Sequence, residues 1–225
     1  MHDTNDARFD LYAAIHKALR LAMADTLARL GSLDVADTGP CQGTAAQVQS
    51  LLDMCRGHLQ KEERYVHPLI EARCAGRSLR IAAEHVEHQA AIDALEAGLV
   101  AFRCAPSAVA GHRLYRRLAV FVAENLAHME YEESVHNEAL WASCTDEDLL
   151  AVHDAILAGL EPAEAGEVLH WMLPALSHEE RAGMLAGMRA MAPPPAFEGA
   201  VQLARQRLSA GEWAKLAQAL QLQPA

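Results

Sequence analysis

The chain contains 225 residues, carries a formal charge of -11 and has a pI near 5.5. This length allows a sizeable hydrophobic core, either in one large domain or in a domain with an extension. A net acidic surface does not attract nucleic acid or an anionic membrane, so we expect neither as a partner.

The start of the chain and its cysteines both indicate a cytoplasmic protein. Residues 1–10 contain no basic region followed by an apolar run, and no stretch approaches the roughly 20 apolar residues of a membrane span. The five cysteines are scattered and form no C-x-x-C pair, as expected for small core residues in a reducing compartment. A thiolate metal site is therefore not indicated.

Apolar residues at steps of three and four predict four long helices in the first part of the chain. We expect them at about 7–30, 44–73, 78–103 and 106–141, with a turn-rich connection at 31–43. Short connections make the later helices antiparallel neighbours. Pro68 predicts a kink late in the second helix.

The pattern changes after Cys144, and we expect a domain at 1–144 followed by a helical extension at 145–225. About five shorter helices are predicted there, with start signals at Thr145, Pro162, Ser177 and Ser209. They form a small bundle of their own or pack against the long helices.

Polar residues interrupt the apolar face of every long helix. In the fourth, His128 and Glu132 lie one helical turn apart on the stripe that contains Leu118 and Phe121. The complete set of such positions is His16 on the first helix, His58 and Glu62 on the second, His85 and His88 on the third, and His128 and Glu132 on the fourth. The His-xxx-Glu spacing occurs on both the second and the fourth helix, and such a repetition is hard to explain by chance.

A buried carboxylate needs a proton, a cation or a metal ion. Imidazole and carboxylate ligands together suit iron or another first-row divalent ion. Two carboxylates and at least four imidazoles exceed what one ion needs, so we expect two ions that Glu62 and Glu132 bridge. Exchangeable water, hydroxo or oxo ligands would complete the coordination.

These motifs resemble the hemerythrin-like, or HHE cation-binding, family over residues 8–142. The run Lys61–Glu71, KEERYVHPLIE, looks like the family's second-helix signature. The resemblance implies an all-α, antiparallel up-and-down four-helix bundle with two iron ions. It also implies six ligands, namely His16, His58, Glu62, His85, His128 and Glu132. Residues 171–197 look similar to the helical extensions of longer family members.

The sequence departs from the family's oxygen carriers at two positions. The carriers have a second histidine four residues after the first on the third helix, where this chain has Gln89. The nearest histidine is His88, which lies on the apolar stripe and is a further candidate metal ligand, the alternative being a packed core histidine or one that supports the ligands. The carriers also have an aspartate five residues after the fourth-helix histidine, where this chain has Glu133, although Glu132 is better placed on the apolar stripe. Fewer histidine ligands favour a reactive, sensing or iron-handling site over a reversible carrier.

We therefore expect a protein that binds or senses a small diatomic, oxygen or nitric oxide, or that handles iron. The predicted apolar lining of Leu19, Met23, Ile81, Ile92 and Phe121 would admit an uncharged gas more readily than a charged substrate. The alternatives are a di-iron oxidase, a nitric oxide reductase, or a ferritin-like or purely structural metal-binding bundle. Whether the protein turns over a substrate is left open, as is its oligomeric state.

The remaining histidines are expected outside the ligand set. In a regular α-helix His67 lies about 180° around from His58, which places it at the surface or outside the ligands. His2, His112, His153 and His178 are expected to be solvated. His136 and His170 match the Glu-x-x-His spacing of ferritin-like sites through Glu133 and Glu167, but an inward His136 would need the apolar stripe of the fourth helix to turn outward.

Overall fold

A computed structural model describes residues 8–222, and helices are the only regular elements in that range. The first part of the chain forms α1 (Ala13–Gly31), α2 (Thr38–Lys61), a first π turn (Glu62–Val66), α3 (His67–Arg73), α4 (Leu79–Cys104), α5 (Ala108–Tyr131), a second π turn (Glu132–His136), α6 (Asn137–Ser143) and α7 (Asp146–Ala158). The rest forms α8 (Pro162–Ala175), α9 (His178–Met191), α10 (Pro194–Arg207) and α11 (Ala210–Ala219). The expected all-α fold is confirmed.

The chain divides into two compact units, at 1–160 and 161–225. The helix α7, which was expected in the extension, belongs to the first unit. Between Cys144 and residue 222, where the described part of the chain ends, there are five helices, as the start signals predicted. Among residues 8–222, none of the helices has the combination of length and apolar character needed to cross a membrane.

The four long helices of the first unit pack in a ring. The helix α1 contacts α2 and α5, and α4 contacts the same two helices. Each buries the apolar stripe that the sequence predicted, through Leu19 and Met23 on α1, Val48 and Leu52 on α2, Ile92 and Leu95 on α4, and Leu118 and Phe121 on α5. The interior of this ring is where the polar residues of the four stripes meet.

The second long helix begins earlier than expected, at Thr38 rather than near residue 44. Pro40 was interpreted as part of a connection, but it occupies the third position of α2. The first four amide groups of a helix have no partner within that helix, so a proline there removes no hydrogen bond. The connection between α1 and α2 is correspondingly shorter than predicted.

Two π turns interrupt the helices that contain the His-xxx-Glu pairs. The amide of His67 donates to the carbonyl of Glu62, and the amide of Asn137 donates to the carbonyl of Glu132. Each turn therefore contains one residue more than an α-helical turn, so the fourth and fifth residues after the glutamate both face the interior. The buried pairs are Val66 with His67, and His136 with Asn137.

The proline of the second helix is not a sufficient explanation for these turns. Pro68 lies just after the first π turn, close to the predicted kink, and is exposed. The position that matches it after the second π turn is Glu138, which has a normal amide group. Both π turns begin at a buried glutamate, and this shared feature explains the two turns better than the proline does.

The first π turn also rests on α7. Val66 packs in a cluster with Tyr12, Ile70, Leu140, Cys144 and Leu149. Farther along, a Cβ added at Gly159 would lie 2.9 Å from the hydroxyl of Tyr65, so the end of α7 fits closely against a residue inside the π turn.

The second unit has its own core and local signals at its helix ends. The core residues are Leu173, Leu185, Ala200, Ala204, Leu208, Leu216 and Leu220. Ser177 with Glu180, and Ser209 with Glu212, form the two capping boxes that the sequence predicted. The buried Arg181 donates to the carbonyls of Leu173 and Leu176 at 2.6 and 2.8 Å and so closes the end of α8.

Deleting one residue tests whether the second π turn holds an inserted residue. Removing the exposed Ser134 should convert the turn to an ordinary α-helical turn and leave the later residues on the same face, at a cost of about 1 kcal/mol or less. Removing the exposed Glu130, four residues earlier, should rotate Glu132 and everything after it by about 100° and cost more than about 4 kcal/mol. Thermal melts measure the loss of stability in each variant, and equal losses in the two variants would contradict this prediction.

Candidate metal centre

Four helices direct imidazole nitrogens toward Glu62 and Glu132. His16 comes from α1, His58 from the last turn of α2, His85 from α4 and His128 from α5. The two glutamates open the two π turns. All of these side chains are buried except that of His58, which is 11% exposed.

The first group of possible ligands contains His16, His58 and both glutamates. The Nε2 atom of His16 lies 3.4 Å from Glu132 Oε2 and 3.9 Å from Glu62 Oε1. The Nε2 atom of His58 lies 3.1 Å from Glu62 Oε1 and 3.2 Å from the Nε2 atom of His16. These atoms converge on one point in the interior.

The second group contains His85, His128 and the same two glutamates. The Nε2 atom of His85 lies 3.4 Å from Glu62 Oε2 and 3.9 Å from Glu132 Oε1. The Nε2 atom of His128 lies 3.4 Å from Glu132 Oε1. Both glutamates therefore belong to both groups, and in each group one ligand atom per residue lies within 4.8 Å of the others.

The carboxylate oxygens and imidazole nitrogens of the two groups are better satisfied by a pair of cations than by hydrogen bonds to one another. Within residues 8–222, the four oxygens of Glu62 and Glu132 and the Nε2 atoms of His85 and His128 are buried and have no hydrogen-bond partner of good geometry. Leaving buried charged groups unmatched costs several kcal/mol each, as an order of magnitude. Divalent ions between the carboxylates and the imidazoles would remove that cost.

The imidazoles also change the protonation of the buried glutamates. Burial raises the pKa of Glu62, but the imidazoles of His58, His16 and His85 outweigh it and hold the pKa well below its usual range. Burial and the neighbouring Glu62 raise the pKa of Glu132, and His128 and His85 more than reverse this effect. Both carboxylates are thus ionised and can act as ligands.

The histidines supply the positive charge when no metal ion does. Burial lowers the pKa of His16, but the hydrogen bond to Glu133 and the nearby carboxylate of Glu62 raise it to about 9. Burial likewise lowers the pKa of His85, but Glu132 and Glu62 raise it to about 10. Metal binding must therefore displace protons from these imidazoles.

A second layer of carboxylates orients three of the four histidines. His16 Nδ1 lies 3.0 Å from Glu133, His85 Nδ1 lies 3.2 Å from Glu63, and His128 Nδ1 lies 2.9 Å from Glu84. A proton on each Nδ1 that is shared with the carboxylate leaves the lone pair of Nε2 directed at the interior. Such partners fix the tautomer of a metal-binding histidine and raise its basicity.

Glu132 and Glu133 have different roles. The side chain of Glu132 is 0% exposed, whereas that of Glu133 is 28% exposed and accepts hydrogen bonds from Arg20 at 2.6 and 3.1 Å. Glu132 therefore faces the ligand groups, in the register that the apolar stripe predicted, and Glu133 supports His16 from outside.

His88 lies at the wall of the site. It is buried, and its ring packs against the rings of His128 at 4.7 Å and Phe121 at 6.1 Å. Neither ligand group among the described residues includes His88, so its role as a ligand stays a prediction.

Two histidines that the sequence placed outside the site are buried beside it. His67 is 7% exposed and His136 is 0% exposed, and both form a third possible ligand group with Glu132. The expectation of an outward His136 was wrong, and His67 is not at the surface, because a regular 100° per residue was assumed throughout. The π turns bring both residues inward while Glu132 keeps its place. The other position expected for His67, outside the ligands, stays a prediction.

Among the described residues, the other histidines lie outside the three ligand groups. His112 and His178 are exposed as expected, whereas His153 is half-buried against Phe9, with ring centroids 5.4 Å apart. His2 lies outside the described residues. Glu167 and His170 lie in the second unit, where Glu167 accepts a hydrogen bond from the indole of Trp171 at 3.1 Å.

The ligand groups can be compared with known families. The family model of the hemerythrin HHE cation-binding domain matches residues 8–140. The chain belongs to the hemerythrin family. No curated protein and no solved structure matches it. The match spans every helix that contributes to the three ligand groups, so the hemerythrin domain is a cation-binding domain whose His/Glu clusters can hold metal ions.

Substituting the outer carboxylates tests their support of the histidines. We expect Glu133→Gln and Glu84→Gln each to weaken metal binding by about 10- to 100-fold without abolishing it, because the imidazoles lose orientation and basicity. Competition with a chromogenic chelator measures the change, and the exposed Glu130→Gln serves as the control. A complete loss of metal in Glu133→Gln would mean that Glu133 is itself a ligand.

Proposed function

We propose that the hemerythrin domain is an antiparallel up-and-down four-helix bundle that holds a di-iron centre. The ligands are His16 and His58 for one ion, His85 and His128 for the other, and Glu62 and Glu132 for both. The observation that supports this proposal is that two separate His/Glu groups share the same two buried glutamates.

Iron is favoured by the kinds of donor present. Imidazole with carboxylate suits iron and other first-row ions, whereas the cysteines contribute to none of the ligand groups found in residues 8–222. Four imidazoles and two bridging carboxylates supply about eight donor contacts, while two six-coordinate ions need about twelve. Exchangeable ligands complete the coordination, so a small molecule has positions to enter.

The surroundings favour an uncharged diatomic as that small molecule. Leu19, Met23, Ile81, Ile92 and Phe121 are all at most 1% exposed and were expected to line the site. An apolar lining favours oxygen or nitric oxide over a charged substrate because desolvation costs a neutral gas little. The iron pair would supply redox-active positions for such a gas.

The protein residues hold the centre rather than react. Glu133, Glu63 and Glu84 keep three histidines directed inward. Arg20 donates to Glu133 at 2.6 Å, and Arg80 donates to Glu84 at 2.8 Å, so two of these carboxylates are themselves held in place. This arrangement suits a centre that binds or senses a gas, or that takes up and releases iron. We rank these roles above turnover.

One observation favours an enzymatic alternative, a di-iron oxidase or nitric oxide reductase. The buried hydroxyl of Tyr12 lies 3.2 Å from His136 Nδ1, and reductive chemistry on oxygen or nitric oxide requires a nearby source of protons. Burial, followed by the charge of Glu132, raises the pKa of Tyr12 well above its usual value, so the phenol keeps its proton at neutral pH.

Removing a bridging carboxylate should empty the centre. We expect Glu62→Ala and Glu132→Ala each to reduce the iron content from about two ions per chain to well below one, because two dications would then lack their shared anion. Elemental analysis of protein purified after iron-replete expression measures this loss. The matched control is Glu133→Ala, which should retain at least half of the iron, and the opposite ranking would overturn the ligand assignment.

Exposure to gas tests the functional part of the proposal. The anaerobically reduced protein, treated with stoichiometric oxygen or nitric oxide, should change its visible absorption and electron paramagnetic resonance spectra. The iron-depleted Glu132→Ala variant should show no such change. If the iron spectrum of the unmodified protein responds to neither gas, a storage or structural role for the metal replaces this proposal.

A further inference from the structure

A third group of possible ligands lies beside the dinuclear centre. One imidazole nitrogen of His67, one of His136 and an oxygen of Glu132 lie within the same 4.8 Å limit as the other two groups. The Nε2 atoms of His67 and His136 are buried and have no hydrogen-bond partner in the part of the chain that the structure describes. Two unpartnered imidazole nitrogens on residues that group with one buried carboxylate make an incomplete polar cluster.

The surroundings hold both rings in place. His67 stacks on His85 with ring centroids 4.8 Å apart, and its edge contact to His136 has a centroid distance of 5.9 Å. His136 Nδ1 lies 3.2 Å from the hydroxyl of Tyr12. When Nδ1–H donates to the Tyr12 oxygen, the lone pair of His136 Nε2 is available to a cation.

We propose that His67, His136 and Glu132 form a third cation position, which takes one divalent first-row metal ion next to the dinuclear centre. Two imidazoles and one carboxylate are a recurrent ligand set for ferrous iron and also suit cobalt and zinc. A carboxylate has about four lone-pair sites on its two oxygens, so Glu132 retains sites for this ion while it serves the other two groups.

Charge and ligand number determine the strength of this position. Arg20 and Arg80 pair with the outer carboxylates Glu133 and Glu84, whereas Glu63, 3.2 Å from His85 Nδ1, adds negative charge that favours a further cation. The third position has only three protein ligands, one of them shared, so its ion should bind at least tenfold more weakly than the other two. A weak position beside a tight pair suits the entry and release of metal.

Cobalt titration tests the inference on the full chain. Metal-free protein is titrated anaerobically with Co²⁺, while native mass spectrometry counts the bound ions and visible absorption follows their coordination. The unmodified chain should bind three ions, the third at least tenfold more weakly. His67→Gln and His136→Gln should each stop at two, and the control His153→Gln, at a half-buried position of the same unit, should still reach three.

A second measurement does not depend on how well the variants fold. Crystals of the unmodified protein soaked in Co²⁺ should show an anomalous peak between His67 and His136, separate from the peaks near His16 and His85. The inference is overturned if the unmodified chain stops at two ions, or if the double variant of His67 and His136 still binds a third. Because it rests on the proposed centre only through Glu132, a failure of the first two equivalents to bind would instead count against the proposed function.

Discussion

The first unit depends on two carboxylates buried among imidazoles. Glu62 and Glu132 are almost completely inaccessible, and each faces histidines from other helices. Because those histidines belong to α1, α2, α4 and α5, the charges are balanced only when all four helices are packed. Burying these carboxylates destabilises the fold unless protons or cations neutralise them. The contacts that neutralise them therefore also specify how the four helices pack.

Much of this arrangement follows from the amino-acid sequence. The apolar stripes repeat at steps of three and four over several turns, so the four long helices and the inward positions of His16, His85, His128 and Glu132 can be read directly. The capping boxes at Ser177 and Ser209 are equally local, because a side chain bonds to an amide three residues away. Features that depend on neighbouring residues alone are predictable without a structure.

The π turns mark the limit of that reasoning. A regular period places His67 opposite His58 and puts Leu69 on the inward stripe, whereas the structure buries His67 and Ile70. The extra residue in a turn is chosen by what the flanking residues contact across the interior, which no single helix encodes. The one signal available was the recurrence of His-xxx-Glu-Glu followed within five residues by another histidine, at His67 and at His136.

The contact between α7 and the first π turn links the candidate ligand Glu62 to the end of the first unit. Glu62 opens that turn, Val66 within it packs with Leu149 of α7, and Tyr65 lies against Gly159 at the close of that helix. A π turn can tighten to an α-helical turn by a shift of hydrogen bonds, and such a shift would withdraw the support on which α7 rests. The position of Glu62 and the support of α7 thus depend on the same turn, and Gly159, which contacts that turn, lies next to the end of the first unit at residue 160.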